Sequence, residues 1–390
     1  MIKHLIKLIW NKKRSNFLLT TEIFVSFLVL FGVMSLMFYN YGNYSEPLGY
    51  QYENVWAVYY SRQDAPDSVY YPALDRARQY LAGQQEVEAV SFTSYNTPYS
   101  QTTMRWNASY EGRSVTSEMI AVDEDYGRAL DIEAKAGRWM SPAEVATAER
   151  VVVLNRQAAE ALFGQEPALG KMITFEEGGL AWKVVGVLGN FKLGGEFQVP
   201  KAVIFLNHKA HDHRADAMLV KVKPTAGAAF ESSMLKELSR IVKGANIELS
   251  YLTGQRRTQH AFTKVPMILA GTICGFLLLN VGLGLFGVLW FAIRKRREEI
   301  GLRRALGATH TGILRHFVGE AAVIASFGML VGLFFALQLP LLDVFGLDKQ
   351  VYFQAAAASV LFLLLLVVVC AFYPSRQAAR IQPARVLHEE

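Results

Sequence analysis

Four apolar stretches, each long enough to cross a lipid bilayer, constrain this chain more than any other feature of its sequence. A spanning helix needs about 20 mostly apolar residues, and such stretches occupy 17–39, 264–293, 313–338 and 353–374. Hydrophobic residues make up 52% of the 390 residues, and charged residues only 19%. This composition argues against a purely cytosolic protein, so we predict a multi-pass membrane protein.

The placement of Lys and Arg predicts the orientation of these spans. The net charge of +6 is concentrated beside the apolar stretches, which points to membrane topology and not to nucleic acid. The predicted inner face carries Lys3, Lys7, Lys12, Lys13, Arg14, Arg294, Lys295, Arg296, Arg297, Arg303, Arg304, Arg315, Arg376, Arg380 and Arg385. The loop between the third and fourth spans carries only Lys349. We therefore expect an inner (cytoplasmic) membrane protein with both termini in the cytoplasm.

The spans divide the chain into nine predicted regions. These are a cytoplasmic interfacial helix (1–16), helix 1 (17–39), an extracytoplasmic domain (40–263), helix 2 (264–293), a cytoplasmic loop (294–312), helix 3 (313–338), a short outer loop (339–352), helix 4 (353–374) and a cytoplasmic tail (375–390). The interfacial helix is predicted because apolar and basic residues alternate there at helical spacing. The alternative for that segment is the cytoplasmic start of helix 1.

The extracytoplasmic segment reads as mixed α/β structure. A strand–helix–strand pattern covers 55–95, and a second one covers 217–251. Two such units suggest a ferredoxin-like layer, and the residues between them, about 96–215, read as an inserted lobe rich in short strands. The predicted fold class is thus an α+β integral membrane protein, with four transmembrane helices and a large mixed α/β domain between helices 1 and 2.

The sequence offers no convincing catalytic or metal site. His208, His211 and His213 lie in a predicted turn without a nearby cysteine, and the acidic run 123–125 lacks the spacing of a calcium-binding loop. The two cysteines, Cys274 and Cys370, lie inside apolar stretches. No G-x-x-x-x-G-K-[ST] motif occurs, so this chain has no phosphate-binding loop. We expect a non-catalytic chain that binds no cofactor itself.

The cytoplasmic loop carries the strongest candidate for a functional segment. Charged and apolar residues alternate there at near-helical spacing, which suits docking into the groove of a partner. The residues are Glu299, Ile300, Gly301, Leu302, Arg303, Arg304, Ala305, Leu306 and Gly307. The alternative is that the loop serves only as a positively charged anchor on the inner face.

Small residues in two spans indicate where helices pack closely. Gly271 and Gly275 are four residues apart in helix 2, and Gly328 and Gly332 repeat that spacing in helix 3. Small residues let helix backbones approach each other in lipid. Asn280, near the middle of helix 2, needs a hydrogen-bond partner there, which also favours a helix–helix contact.

Two motif blocks resemble one family of membrane proteins. The loop and the start of helix 3 resemble the R-R-x-E-I-G-x-x-x-A-L-G-A-x-x-x-x-I-L-x-x-F-x-x-E-A pattern of the MacB/FtsX superfamily of ABC transporter permeases. The matching residues are Arg296 or Arg297, Glu299, Ile300, Gly301, Ala305, Leu306, Gly307, Ala308, Ile313, Leu314, Phe317, Glu320 and Ala321. The tail 373–384 resembles the family's Y-P-A-x-x-A-A-R-x-x-P, and segments 131–139, 151–155 and 182–187 resemble the MacB-type periplasmic core domain.

The resemblance implies a permease that works in a larger complex. In this family the permeases form a homo- or heterodimer on two ABC ATPase subunits, and the loop between helices 2 and 3 couples to them. MacB itself carries a fused ATPase domain that this sequence does not show, so we expect ATP and Mg to bind a separate ATPase subunit. A periplasmic adaptor is a further partner that the resemblance allows.

Three functions remain open at this point. The first is export or extraction of a substrate, by transmission of ATPase motion to the outer domain. The second is an FtsX-like, non-transporting regulator of an envelope enzyme such as a cell-wall hydrolase. The third, a sensor receptor, is disfavoured because the predicted inner segments are too short for a signalling domain.

Overall fold

The structure is a computed structural model that describes residues 13–63, 65–175, 179–211 and 217–380. The chain divides into two compact units. A helical unit contains the described residues up to Gly42 and from Lys264 onward, and an α/β unit spans Asn43–Thr263. Most of the predicted interfacial helix over 1–16, and the end of the predicted tail from residue 381, lie outside the described residues.

The helices and strands occur in the following order along the sequence. The elements are α1 (Lys13–Ser45), β1 (Val55–Arg62), α2 (Asp67–Ala82), β2 (Val87–Thr93), β3 (Arg105–Tyr110), β4 (Arg113–Val122), α3 (Tyr126–Ala129), β5 (Ala134–Gly137), α4 (Pro142–Ala146), β6 (Val151–Leu154), α5 (Arg156–Phe163), β7 (Met172–Phe175), β8 (Ala181–Leu188), β9 (Val203–Asn207), β10 (Ala217–Val222), α6 (Ala228–Ile241), β11 (Ala245–Tyr251), α7 (Leu252–Lys295), α8 (Arg297–Ala305), α9 (His310–Ala336), α10 (Gln338–Leu341) and α11 (Lys349–Ala379).

Four helical segments of the described chain are long and apolar enough to cross a membrane. They are Phe17–Ser45, Leu252–Lys295, His310–Leu341 and Lys349–Ala379. Each predicted span lies inside one of them, and the helices continue beyond the apolar stretch because capping groups, not hydropathy, set where a helix begins. Thr309 caps α9 by accepting from the Gly312 N–H, and Asp348 caps α11 by accepting from the Gln350 N–H. The predicted fold class is confirmed.

The α/β unit contains the ferredoxin-like layer that the sequence suggests. Strands β11, β1, β10 and β2 are neighbours in that order, and each adjacent pair is antiparallel. Each strand–helix–strand unit therefore places its two strands parallel, with a strand of the other unit between them. Helices α2 and α6 cover one face, where Trp56, Leu74, Val220 and Leu238 are among the buried residues.

The inserted lobe is built on a closed ring of strand pairings. Strand β4 pairs with β3, β3 with β7, β7 with β8, β8 with β6, β6 with β9, and β9 returns to β4. Alternate residues of β4 enter different cores. Met119 and Ala121 pack in one core, and Ile120 and Val122 in the other, as expected for a strand buried on both faces.

Asp123 ties the ferredoxin-like layer to the inserted lobe. Only one residue pair, Thr93 and Val122, joins β2 to β4 in the ladder. Directly after β4, the buried Asp123 carboxylate accepts from the Ser91 hydroxyl at 2.7 Å and from the Phe92 N–H at 2.8 Å. Burial raises the pKa of Asp123 to about 7, although the positive charge of Arg78 opposes this shift.

In the helical unit, α9 approaches α1 closely through two glycines. A Cβ at Gly328 would lie 2.9 Å from the Thr20 carbonyl oxygen, and one at Gly332 would collide with the Phe27 ring. The Cβ at Gly328 would also contact the Ile23 side chain of α1. Ile23 and Phe27 are both fully buried. The backbone of α9 can therefore contact α1 only because side chains are missing at these two positions.

The other small-residue pair faces open space within this chain. A Cβ at Gly271 or Gly275 would meet no described atom within 4 Å. Asn280 is exposed on the same helix, and its side-chain amide donates to the Phe276 carbonyl of that helix at 2.8 Å. The helix-packing role of Gly271, Gly275 and Asn280 therefore stays a prediction, and it requires a helix from a second chain.

We expect Gly332→Ala to destabilise the helical unit. Alanine gains about 1 kcal/mol over glycine in a helix interior, but overpacking a buried ring costs about 1–3 kcal/mol. Gly319→Ala is the matched control, because Gly319 lies on the same helix and a Cβ there would meet no described atom within 4 Å. Thermal unfolding of the purified protein should show a lower midpoint for Gly332→Ala and an equal or higher one for Gly319→Ala. Equal midpoints for the two variants would contradict the close approach of α9 to α1.

Candidate functional site

The predicted functional loop is a short helix, α8, between two spanning helices. Its charges match the helix dipole, since Glu298 and Glu299 lie in the first turn and Arg303 and Arg304 in the last. Glu299 and Arg303, one turn apart, form an ion pair of 2.6 Å. These local interactions favour a helix in a loop too short for a hydrophobic core of its own.

One side of α8 packs on the rest of the helical unit. Ile300 is only 3% exposed, and it lies in a cluster with Ile293, Phe317, Ala378 and Ala379. The two alanines of the tail motif are completely buried, and larger side chains there would push α8 away. Three separate helices, α7, α9 and α11, thus hold the buried side of α8.

Polar contacts fix α8 further at both of its ends. Just before it, Arg296 donates to both carboxylate oxygens of Glu320 on α9, at 3.2 and 3.4 Å, with both side chains mostly buried. In its last turn, Arg304 donates to the Ala379 carbonyl of α11 at 2.6 Å. A fork-shaped guanidinium bound to a carboxylate restricts orientation as well as distance.

The opposite side of α8 is exposed and partly apolar. Leu302 is 54% exposed and Leu306 is 80% exposed, and they lie one turn apart at helix spacing. The exposed pair Glu299–Arg303 lies beside them, and Ala305 is exposed as well. We call Leu302 and Leu306 the exposed leucine pair. The apolar residues of this segment therefore lie on two different sides of α8. Ile300 and Gly301 face the rest of the protein, and the exposed leucine pair does not.

Gly307 ends α8 and redirects the chain. Its φ is +95°, a region that residues with a Cβ rarely adopt. The Gly307 N–H donates to the Arg304 carbonyl at 3.1 Å, which closes the last turn, and Thr309 then caps the next helix. The conformation of Gly307 therefore sets the direction in which α9 leaves α8.

A second cluster lies within the α/β unit, which includes the first turns of α7. Glu196 pairs with Arg256 at 2.5 Å and with His260 at 2.8 Å. Burial alone would raise the pKa of Glu196, but the hydrogen bonds from His260 and Arg256 lower it below its ordinary value. Phe197 and Tyr44 pack on the His260 ring. This cluster fixes the start of α7 to the loop that precedes β9.

Several of these residues could not be assigned from the sequence. The family pattern contains Arg296, Glu320 and the two tail alanines, but spacing alone does not show that they meet around α8. Glu196 lies 64 residues before His260, and no local pattern connects them. Among the described residues, no group of three or more His, Cys, Asp or Glu side chains could hold a metal ion.

Comparison with known families identifies both parts of the chain. The MacB-like periplasmic core domain matches residues 23–235, and the FtsX-like permease C-terminal domain matches residues 271–383. The chain belongs to the MacB/FtsX family of ABC transporter permeases. The second match contains all of α8 and the residues that anchor it.

The named relatives are longer proteins. The macrolide export ATP-binding/permease protein MacB of Aggregatibacter actinomycetemcomitans is 26% identical over 57% of this chain and 35% of its own length. The protein of the same name from Neisseria gonorrhoeae is 24% identical over 72% of this chain and 45% of its own length. The chain thus spans less than half the length of these relatives.

A solved structure aligns with about half of the chain. The periplasmic region of MacB from Actinobacillus actinomycetemcomitans aligns with 53% of this chain and 93% of its own, at 16% identity and a TM-score of 0.40. The family assignment rests on the two domain matches.

Proposed function

We propose that this chain is a permease subunit that couples ATP hydrolysis to movement of its extracytoplasmic domain, for export or extraction of a substrate. ATP and Mg bind a separate ABC ATPase subunit that docks on α8. The observation that supports this role most directly is the exposed leucine pair on a helix whose other side is firmly anchored. A partner that binds the leucine pair can move α8 only together with the helices that hold it.

Burial of the exposed leucine pair in a groove of the ATPase would supply favourable binding free energy. Full burial of a leucine side chain contributes about 1.5–3 kcal/mol, and amphipathic helices commonly bind in apolar grooves with such residues as anchors. The neighbouring Glu299 and Arg303 carry opposite charges, which helps to fix the orientation of a partner more than its affinity.

Motion can then pass through α7 to the outer domain. Helix α7 is continuous from Leu252 to Lys295. Pro266, inside it, lacks an N–H, and the rest of the helix keeps its backbone hydrogen bonds as it moves. Its last turns contribute Ile293 to the cluster around α8. Its first turns hold Arg256 and His260, which bind Glu196. We infer that displacement of α8 reaches the outer domain along this helix.

Two permease chains are expected in the complex, as a homodimer or a heterodimer. We assign to the second chain the face of α7 that carries Gly271 and Gly275. At 3.6 residues per turn, Asn280 lies on a different face of this helix. A polar amide such as Asn280 is costly in lipid, and a second helix would shield it. A periplasmic adaptor is a further partner that the family resemblance allows at the outer domain.

The relatives favour export over regulation of an envelope enzyme. Those named above are macrolide export proteins, and this supports the export role proposed for the present chain.

We expect Leu306→Asp to disrupt ATPase docking without affecting membrane insertion. An unpaired charge in an apolar groove costs about 2–5 kcal/mol, which lowers affinity by more than about tenfold. Leu342→Asp is the matched control, because Leu342 is also exposed, at 70%, but lies between α10 and α11. Co-purification of the ATPase should fall with Leu306→Asp and persist with Leu342→Asp. Wild-type stoichiometry and activity with Leu306→Asp would refute the docking role.

The proposed topology has Asn43–Thr263 outside and α8 in the cytoplasm. In a variant without Cys274 and Cys370, cysteines can be placed at the exposed positions Glu248 and Thr311. We expect Glu248→Cys to react with an impermeant maleimide in intact spheroplasts. Thr311→Cys should react only after permeabilisation. The opposite labelling pattern would reverse the assigned orientation.

A further inference from the structure

An open cavity of about 260 Å³ lies in the α/β unit, beside the first turns of α7. Its polar lining comes from Ser100, Gln101, Thr103, Gln198, Gln259 and Glu118. Glu118 is the only charged residue among the lining residues, and the others there are neutral. The cavity therefore combines one negative charge with several neutral groups that can accept hydrogen bonds.

The Glu118 side chain lacks the partners that a buried carboxylate normally has. Glu118 is 2% exposed, and neither carboxylate oxygen has a hydrogen-bond partner among the described residues. The Arg105 guanidinium, on the adjacent strand, lies 3.8 Å from the nearer oxygen and is half exposed. That distance is too long for a hydrogen bond. An ionised carboxylate without hydrogen bonds is costly to bury, so this group is poised to accept donors from a ligand.

The electrostatic surroundings of Glu118 disfavour its charged form. Burial raises the pKa of Glu118 above its ordinary value, and the charges of Lys201 and Arg105 only partly oppose this effect. By contrast, the buried carboxylate of Asp123 in the same unit accepts hydrogen bonds from the Ser91 hydroxyl and from the Phe92 and Asp125 N–H groups. Glu118 thus differs from a carboxylate with a structural role.

We propose that this cavity binds a primary ammonium group, which donates hydrogen bonds to the Glu118 carboxylate and to the neutral oxygens around it. An ammonium group has three donors and no acceptor, and every polar side chain in the cavity carries an acceptor oxygen. Ca²⁺ needs six to eight oxygen ligands and Mg²⁺ near-ideal octahedral geometry, and a single carboxylate is a poor basis for either. The site is separate from α8, and it does not depend on the coupling role.

Ethanolamine is a suitable probe, and two analogues test the chemistry. Ethylene glycol replaces the ammonium by a hydroxyl, and choline keeps the positive charge but has no N–H donor. Binding to the purified full chain in detergent can be followed by saturation-transfer NMR. We expect ethanolamine to bind at least about tenfold more tightly than either analogue, because hydrogen bonds between charged groups are the strong ones.

Two variants locate the binding in this cavity. Glu118→Gln keeps the shape of the side chain and removes its charge, and it should weaken ethanolamine binding by at least about tenfold. Thr103→Phe adds bulk at an exposed position of the lining, and it should weaken binding without changing the charge. Glu248→Gln, an exposed carboxylate on β11, is the control and should leave binding unchanged. Size-exclusion profiles and circular dichroism confirm the fold of each variant.

Several results would overturn the proposal. These are no detectable binding of ethanolamine up to high millimolar concentration, equal binding of ethanolamine and ethylene glycol, and unchanged binding by both Glu118→Gln and Thr103→Phe. If Glu118→Gln fails to fold, Thr103→Phe and the analogue series still decide the question.

The ammonium group can come from a lipid headgroup or from a soluble amine. The full chain in nanodiscs of phosphatidylcholine alone, or with added phosphatidylethanolamine, distinguishes these sources. Weaker binding of free ethanolamine in the second nanodisc would identify a lipid headgroup as the competitor. Equal binding of ethanolamine in both nanodiscs would identify a soluble amine as the ligand.

Discussion

The absence of water in the bilayer core is the constraint on which the rest of this structure depends. Spanning segments must satisfy their backbone hydrogen bonds internally, so the chain crosses the membrane only as helices. The segment between the second and third of them is short, and α8 is the one helix that it forms. One side of α8 packs on the protein through Ile300, and the other side leaves Leu302 and Leu306 exposed. The anchored helix α8 is therefore suited to transmit force.

The anchoring of α8 explains why the family pattern includes residues that are far apart in the sequence. Arg296 and Glu320 hold the start of α8 to α9, and Arg304 holds its end to α11 through the Ala379 carbonyl. Small residues at 378 and 379 allow α11 to approach Ile300. In the α/β unit, the Glu196 cluster fixes the beginning of α7 in a similar way. Each end of α7 is thus bound by side chains from elsewhere in its own unit.

Much of the fold could be predicted from the sequence because hydropathy and strand–helix alternation are local signals. The division of α8 into a buried and an exposed side could not be predicted, since it depends on residues of α11 such as Ala379, which lies 75 residues after Arg304. The parallel pairing of β4 with β9, which closes the strand ring of the lobe, is equally non-local. The two G-x-x-x-G motifs look identical in sequence, yet Gly328 and Gly332 contact α1, whereas a Cβ at Gly271 or Gly275 would meet no described atom within 4 Å.

Site-specific photo-crosslinking tests the coupling role of α8 most directly. A benzoylphenylalanine residue can replace Leu302, Leu306 or the control Leu342 in the full chain, and crosslinked partners can be identified by mass spectrometry. We predict that positions 302 and 306 crosslink to an ABC ATPase, that the yield changes when ATP hydrolysis is trapped, and that position 342 does not crosslink to it. Crosslinks from 302 and 306 only to lipid or to this chain itself would contradict the account.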